Sequence, residues 1–382
     1  MNFGLTEEQQ MVLDMVRRFA DEEIRPIAGE LDKTHRHPKE ICRKLGEMGL
    51  MGVSTPTEYG GAGMDNVTYV LALTEVARGC ASCGVIMSVN NSLYGYPVKM
   101  FGTHEQKMKF LYPVAHGEVE GCYALTEAGA GSDAGALRCR AERKGDKYIV
   151  NGVKKFITSG NVAKCCVLAA TEDPSKGYKG IINLLVDLEN TPGFSVGAIE
   201  EKIGILASGT AELVFEDAEV PVENLLGKPG EGFRQMLEGL NAGRIGIGAQ
   251  ALGIGRAVLE DSLQYSKERV QFGQAISSFQ AIQWKLADMA TELDAAELLL
   301  LKAAWYEDHG LNFEKEAAMG KMFASDAAMR ASVEGVQIFG GYGYCKEYPA
   351  ERHMRDAKIC QIYEGTNEIH RIVIARKLLG MR

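Results

Sequence analysis

The spacing of apolar residues divides the chain into a helical part, a strand-rich part and a second helical part. At the N-terminus, Thr6 and Gln9 form a capping-box pattern, after which apolar residues recur at helical spacing. Further helical stretches are predicted after Pro38, near 66–79 and near 83–101. The pattern predicts no strand in this first part of the chain.

Alternating patterns begin after residue 120. Residues 137–142 alternate, residues 144–147 form a turn, and Asn151-Gly152 is a typical hairpin turn between two further strand-like segments. Short strands without intervening helices predict an antiparallel barrel or sandwich, and they argue against a doubly wound sheet, which needs βαβ alternation. The remaining strand-like segments are 148–150, 153–158, 166–171, 181–188 and 211–215.

Long helical patterns return after residue 230 and predict a bundle of antiparallel helices near 231–266, 278–309, 315–339 and 366–379. The predicted fold is therefore α+β and multidomain. It has an N-terminal α-helical domain (1–119), a middle antiparallel β-barrel or sandwich domain (120–228) and a C-terminal four-helix bundle (229–382).

Composition and charge restrict the function classes. The 382 residues are 46% hydrophobic, which is enough for a large buried core, and the net charge of −9 argues against a nucleic-acid partner. No apolar run approaches the roughly 18 residues that a membrane span requires. The nine cysteines are scattered and odd in number, which indicates reduced thiols and, with the polar and acidic first residues, a cytoplasmic location.

Several familiar patterns lack the context that their chemistry requires. Residues 246–251 match a degenerate dinucleotide fingerprint, but they lie inside a helical pattern with no preceding strand, so close helix packing explains them better. Cys80 and Cys83 form a lone Cys-x-x-Cys pair without a second pair, and His35 and His37 flank a turn that we expect to be solvated. No metal site is therefore predicted.

Three segments carry candidate chemistry. Residues 123–133 form a loop rich in small and hydroxyl side chains, and residues 337–344 form a glycine and aromatic cluster after a long helix. The third segment, 362–369, precedes the last helix, with Thr366 as its predicted N-cap. Glu364 lies there between apolar residues, and an apolar pocket would raise its pKa towards the range of a general base.

Taken together and in this order, these segments resemble the acyl-CoA dehydrogenase flavoproteins over essentially the whole chain, and short-chain (butyryl-CoA type) members in particular. The resemblance implies FAD as cofactor and Glu364 as the catalytic base, which removes the α-proton while the β-hydrogen leaves as hydride to the flavin. It also implies a homotetramer, an acyl-CoA substrate and an electron-transfer flavoprotein as electron acceptor.

The resemblance also assigns site residues. The implied flavin contacts are Tyr123, Leu125, Thr126, Gly131 and Ser132 in the first loop, Phe156 and Thr158 at the flavin ring, Thr366 and Glu368 near the last helix, and Arg269, Phe272, Gln280, Gln337, Gly340 and Gly341 from a neighbouring subunit. The implied substrate contacts are Ser132, Asn91, Asn241, Arg244, Tyr363 and Gly365.

Three positions depart from the family pattern: Ala128 replaces a usual Pro, Phe156 a commoner Trp and Asn241 a common Asp. Gly84 lies about where glutaryl-CoA members have an Arg, which disfavours a dicarboxylyl substrate. The neighbouring polar pair Asn90 and Asn91 keeps a branched or alicyclic acyl group open as the alternative. Less favoured readings are an oxidase of the same fold and a non-catalytic helical adaptor.

Overall fold

In the computed structural model, which describes residues 4–381, the N-terminal part of the chain consists of helices. Positions 1–3 and 382, the outer ends of the predicted first and third domains, lie outside the described residues. Residues 4–118 contain no strand, as predicted. The capping box is also confirmed, since the Gln9 N–H donates to Thr6 Oγ1 at 3.1 Å and the Thr6 N–H donates to Gln9 Oε1 at 3.0 Å. The helices are α1 (Glu7–Phe19), α2 (Ala28–Thr34), α3 (Lys39–Glu47), α4 (Asn66–Gly79), α5 (Ala81–Val89), α6 (Gly95–Phe101), α7 (His104–Gln106) and α8 (Tyr112–Ala115).

The helical stretch predicted near 83–101 is interrupted by one widened turn. Residues Asn90–Tyr94 are π-helical and separate α5 from α6. Two amides disturb the regular ladder there, because Asn90 Nδ2 donates to the Ile86 carbonyl at 2.7 Å and Asn91 Nδ2 to the Met87 carbonyl at 2.9 Å. The widened turn carries Leu93, which lines the cavity described below.

The middle region forms one curled, seven-stranded sheet in the order β1-β4-β2-β3-β7-β6, with β5 paired to β4. The sheet is mixed rather than wholly antiparallel, because β1 pairs with β4 in parallel. Strand β1 enters from the helical domain, and a long loop separates it from β2, so the two cannot form a hairpin. The strands are β1 (Gly121–Ala124), β2 (Arg140–Lys144), β3 (Lys147–Thr158), β4 (Cys165–Thr171), β5 (Ile181–Asp187), β6 (Phe194–Ile199) and β7 (Thr210–Pro221).

The hairpin predicted at Asn151-Gly152 is wrong. Strand β3 continues through both residues, and its register with β7 shifts between Val150 and Gly152, which indicates a β-bulge. Gly152 is required because a Cβ there would lie 2.8 Å from the Cys139 Cα. The turn predicted at residues 144–147 is confirmed, since it joins β2 to β3 and the φ of Gly145 is +64°.

The C-terminal region contains the predicted long helices, which pack side by side. A short two-stranded hairpin, β8 (Val270–Gln271) with β9 (Gln274–Ala275), was not predicted and separates the first two helices. A further helix, α12, precedes the last one. The helices are α9 (Gly232–Glu268), α10 (Gln280–Asp308), α11 (Glu314–Phe339), α12 (Ala350–Ile359) and α13 (Asn367–Leu378).

The glycines of α9 confirm the packing interpretation of residues 246–251. A Cβ on Gly246 would lie 2.4 Å from Ser88 Oγ, and one on Gly248 would lie 2.3 Å from Leu300 Cδ2. The glycines therefore let α5 and α10 approach α9 closely. This packing fixes α9 against the N-terminal domain and leaves its N-terminal half facing the β-sheet domain.

Candidate active site

A cavity of about 1040 Å³ lies where the sheet domain, the N-terminal half of α9 and the segment before α13 meet. Its lining includes the apolar side chains of Val89, Leu93, Leu237 and Leu240 and the cationic side chain of Lys202. The predicted site residues in its lining are Tyr123, Leu125, Thr126, Gly131, Ser132, Phe156, Thr158, Arg244, Tyr363, Glu364, Gly365 and Thr366.

The segment that carries Glu364 is held in a strained conformation. The φ of Glu364 is +53°, which is rare for a residue with a side chain, and the φ of Gly365 is +98°. Thr366 caps α13, since its Oγ1 accepts from the Ile369 N–H at 3.4 Å. The Tyr363 hydroxyl donates to Gln250 Oε1 on α9. The segment is thus tied to helices on both sides of Glu364.

The carboxyl group of Glu364 lies in a desolvated environment. Its Oε2 is inaccessible to solvent and has no hydrogen-bond partner among residues 4–381. A Cβ added to Gly243 would lie 2.0 Å from this oxygen and 2.9 Å from Leu93 Cδ2, so the carboxylate sits directly over the bare glycine of α9 and beside an apolar side chain. This burial raises the pKa of Glu364 to about 8, although the charges of Lys321 and Arg244 oppose the rise.

Two buried groups behind Glu364 were missed by the sequence analysis. Lys321 is fully buried in α11, and its Nζ donates to the Gly365 carbonyl at 2.7 Å and to Asn367 Oδ1 at 3.2 Å. Burial lowers the pKa of Lys321 to about 8. His370 is equally buried, and burial with the nearby charges of Lys321 and Arg244 lowers its pKa to about 2, which keeps the ring neutral. In the sequence, the only sign that Lys321 is buried is its position among the small residues of a predicted helix.

The loop after β1 is fixed by a buried ion pair. Lys154 Nζ donates to the Leu125 carbonyl at 2.9 Å and to Glu127 Oε1 at 2.7 Å. The same carboxylate accepts the Arg138 and Cys139 N–H groups at 2.7 and 2.9 Å. These bonds hold both ends of the loop and leave its small residues facing the cavity.

The residues of this wall fit a flavin. A Cβ on Gly131 would meet nothing within 4 Å, so the backbone there is open to a ligand, and the buried Tyr123 hydroxyl has no partner among the described residues. Thr126, Ser132 and Thr158 add hydroxyl groups around an otherwise apolar lining. Phe156 lies at the cavity with a φ of +59° and is 60% exposed. Flat apolar walls with a few hydroxyl groups suit a planar ring and its polyol chain.

Arg244 brings positive charge to the same cavity. It is buried in α9, its Nη1 donates to Asn241 Oδ1 at 2.6 Å, and its Nε has no acceptor among the described residues. Burial lowers the pKa of this guanidinium. Asn241 itself does not line the cavity and instead orients Arg244.

Asn91 is not at the cavity. Its Oδ1 accepts the Val53 N–H at 2.7 Å, and its Nδ2 donates to the Leu50 and Met87 carbonyls. Asn90 is also engaged, because its Oδ1 accepts the Gly121 N–H at 2.8 Å. Both amides therefore satisfy backbone groups, which corrects the expectation that Asn91 contacts the substrate.

The remaining predicted flavin contacts lie outside the cavity. The Arg269 guanidinium lies over the Tyr342 ring at 5.4 Å, next to the segment that contains Gly340 and Gly341. Phe272 is 94% exposed and makes an edge contact with Phe279. A Cβ on either glycine would meet nothing within 4 Å. Gln280 and Gln337 also lie outside the cavity lining, at the start of α10 and the end of α11, and exposed Glu368 lies in the first turn of α13.

Comparison with known proteins agrees with this architecture. Family models described as the acyl-CoA dehydrogenase N-terminal, middle and C-terminal domains match residues 6–118, 122–218 and 230–379. The short-chain specific acyl-CoA dehydrogenase of Clostridium acetobutylicum is 47% identical over 378 residues, which cover 99% of this chain and 100% of that protein.

Two solved structures superpose over nearly the full chain. Butyryl-CoA dehydrogenase from Megasphaera elsdenii matches with a TM-score of 0.97 and 45% identity, covering 99% of this chain and 100% of that one. A chain from a structure of the electron transferring flavoprotein of Acidaminococcus fermentans matches with a TM-score of 0.98 and 50% identity, covering 99% of this chain and 100% of that one. The chain therefore belongs to the acyl-CoA dehydrogenase family of FAD-dependent oxidoreductases.

Proposed function

We propose that this chain dehydrogenates a short-chain acyl-CoA thioester to the α,β-enoyl-CoA, with Glu364 as the base that removes the α-proton. The observation that carries the proposal is the unpartnered Glu364 Oε2 in a cavity whose lining also includes the residues that fit a flavin. Relatives and solved structures named for short-chain and butyryl-CoA substrates support the substrate class.

Glu364 supplies two groups to the reaction. Its carboxylate, desolvated beside Leu93, is a stronger base than an exposed carboxylate and accepts the α-proton. Its backbone N–H makes no hydrogen bond to any described residue, so it is free to donate to the thioester carbonyl and stabilise enolate-like charge. Bound FAD supplies the acceptor for the hydrogen that leaves the β-carbon as hydride.

The other proposed site residues bind and orient the flavin and the CoA thioester. In this proposal Tyr123, Thr126, Ser132, Phe156 and Thr158 contact the flavin, and the cation of Arg244 lies on the path of the anionic CoA. Leu125, Gly131 and Thr366 are the further proposed flavin contacts, and Tyr363 and Gly365 complete the proposed substrate contacts. Asn241 acts on the substrate only through Arg244, which it orients, and Glu368 lies outside the cavity lining.

We propose a homotetramer because six of the implied flavin contacts lie away from the cavity of their own subunit. They are Arg269, Phe272, Gln280, Gln337, Gly340 and Gly341. A neighbouring subunit would bring these residues to the adenosine-diphosphate half of a flavin. Phe272, which is 94% exposed here, would then be covered.

The cytoplasmic location stays a prediction. No helix within residues 4–381 is long and apolar enough to cross a membrane.

A short apolar acyl group is favoured over the alternatives. Val89 and Leu93 line the cavity on the side of the N-terminal domain, whereas Asn90 and Asn91 are bonded to backbone groups. The polar pair that kept an alicyclic substrate open therefore gives it no support. Gly84 packs against α4, where a Cβ would lie 2.7 Å from the Ala77 Cβ, so this position has no room for an Arg that could pair with a distal carboxylate.

The experiment that tests this function is a rate comparison across butyryl-, isobutyryl-, hexanoyl- and cyclohexanecarboxyl-CoA with an electron-transfer flavoprotein as acceptor. We expect butyryl-CoA to give the highest kcat/KM. A preference for the cyclic thioester would replace the proposed substrate by the alicyclic one. Rapid peroxide formation in air without the acceptor would instead identify an oxidase, and a protein that stays colourless after addition of FAD would contradict both enzyme functions.

The pH dependence of the reaction provides a second test. With a Glu364 pKa of about 8, kcat/KM should rise as the pH increases through that value, because only the carboxylate accepts a proton. Below its own pKa of about 8, Lys321 carries a positive charge that favours the ionised carboxylate, so Lys321→Met should move the rise to higher pH, whereas Lys321→Arg should keep it near or below the wild-type position. A profile that does not move in Lys321→Met would contradict the assignment of Glu364 as the titrating base.

The same shift predicts how stability depends on pH. Between the ordinary value of 4.5 and about 8, native Glu364 holds a proton that the unfolded chain has released. The contribution of Glu364 to the free energy of unfolding should therefore decrease as the pH rises across this window.

A further inference from the structure

A second cluster of reactive side chains lies where the N-terminal helical domain joins the sheet domain. His37 precedes α3, Cys42 lies in the first half of α3, and Glu120 directly precedes β1. His37 Nε2 lies 2.5 Å from Glu120 Oε1 and 3.9 Å from Cys42 Sγ. One ligand atom from each residue falls within 4.8 Å of the other two.

The cluster is largely removed from solvent and incompletely satisfied. Cys42 is 5% exposed, and the side chains of His37 and Glu120 are 18% and 12% exposed. His37 Nδ1 and Glu120 Oε2 are inaccessible and have no hydrogen-bond partner among the described residues. Buried polar atoms without partners are costly and rare in native proteins, so a ligand at Glu120 Oε2 would be favourable.

The backbone holds all three residues firmly. The Cys42 N–H donates to the Pro38 carbonyl at 3.0 Å, and the Lys39 N–H donates to the His37 carbonyl at 2.9 Å. The Glu120 carbonyl accepts the N–H of Lys164 at 2.9 Å. The three side chains therefore converge from fixed elements rather than from free loops, which is the condition for a preformed binding site.

We propose that His37, Cys42 and Glu120 bind one zinc ion, which links α3 to the start of β1. An imidazole nitrogen, a thiolate sulfur and a carboxylate oxygen are the three ligand types that Zn²⁺ takes in proteins, and a water molecule would fill the fourth tetrahedral position. On binding, Zn²⁺ displaces the thiol proton of Cys42 to solvent, and His37 binds through Nε2 as a neutral imidazole that keeps its proton on Nδ1. The flavin cavity contains none of these residues.

The geometry favours a metal site over nucleophilic catalysis. In a Cys-His-carboxylate relay, the thiol and the carboxylate contact different nitrogens of the ring. Here the same Nε2 faces both Cys42 and Glu120, while Nδ1 faces neither. The three donor atoms lie within 4.8 Å of one another, and a shared ion would replace the present direct contact between His37 Nε2 and Glu120 Oε1.

The sequence did not reveal this site because its third ligand is remote. His37 and Cys42 are five residues apart, but Glu120 lies 83 residues after His37. The expectation that His37 lies in a solvated turn is wrong, since its ring contacts the sheet domain through Glu120.

The test is a metal titration of the FAD-loaded protein after removal of metals by a chelator. Against a chromophoric chelator, the wild type should bind one equivalent of Zn²⁺, and Co²⁺ should give a thiolate-to-metal charge-transfer band. Cys42→Ser should abolish the band and weaken Zn²⁺ binding at least about 10-fold. Cys80→Ser and Cys345→Ser should change neither property.

Two results would overturn the proposal. One is the absence of stoichiometric Zn²⁺ binding in the wild type, and the other is binding that survives Cys42→Ser and is lost in Cys80→Ser. A measurement without substitutions covers the case that Cys42→Ser does not fold. Crystals of the wild type soaked in Zn²⁺ should show an anomalous peak among the three side chains, and a Zn²⁺-bound crystal without that peak contradicts the site.

Discussion

Replacing Glu364 by Gln is expected to lower kcat at least about 10³-fold while flavin and thioester binding persist. The amide has the shape of the carboxylate but accepts no proton at neutral pH. The neighbours of the side chain, Gly243 and Leu93, tolerate it because the wild-type oxygen makes no hydrogen bond there. Removing the charge also relieves the desolvation that raises the pKa of Glu364, so the variant should be at least as stable as the wild type near pH 8.

The measurements separate chemistry from binding. Steady-state turnover with an artificial electron acceptor reports the loss, and titration of the flavin spectrum with butyryl-CoA reports thioester binding. Glu8→Gln, which neutralises an exposed carboxylate on α1, is the matched control and should keep the wild-type rate. Turnover within about tenfold of the wild type in Glu364→Gln would assign the base to another residue.

The fold was predictable largely because the local patterns agree with the tertiary structure. The apolar spacing predicts the long helices α9 to α11 to within about two residues at each end, and Thr6 and Gln9 place the start of α1. The errors occur where remote contacts override the local sequence. Asn151-Gly152 has the letters of a hairpin turn, but its pairing with β7 keeps the strand extended through a bulge.

The residues of the candidate site also fall into two groups, those that the local sequence indicates and those that only the tertiary structure reveals. Glu364 was a candidate on sequence alone because a carboxylate stands in an apolar segment just before a helix cap. Lys321 and Gly243 were not, because what matters about them is their distance to Glu364, and both are remote from it in sequence. Asn91 shows the converse, since its polarity indicated a ligand contact whereas its amide satisfies the backbone of residues 50, 53 and 87.

Gly243→Ala is expected to lower kcat about 10²-fold without loss of folding or flavin. The new Cβ would lie 2.0 Å from Glu364 Oε2, far inside van der Waals contact, so the carboxylate must move away from its present position. Helix α9 itself should tolerate the change, because Ala is favoured over Gly within a helix by about 0.5–1 kcal/mol. The defect should therefore appear in kcat, whereas the melting temperature and the flavin content stay near those of the wild type.

Gly239→Ala is the matched control, one helical turn earlier in α9. A Cβ there would meet only Pro97, at 3.8 Å, which is ordinary contact, so this variant should keep wild-type turnover. A double-mutant cycle then tests the cause directly. If Gly243→Ala acts by displacing the Glu364 carboxylate, Glu364→Asp, whose carboxylate is withdrawn by one methylene, should cost less in the Gly243→Ala protein than in the wild type. Additive losses in the cycle would show that the two positions act independently, and the close approach of Gly243 to Glu364 would then have no part in catalysis.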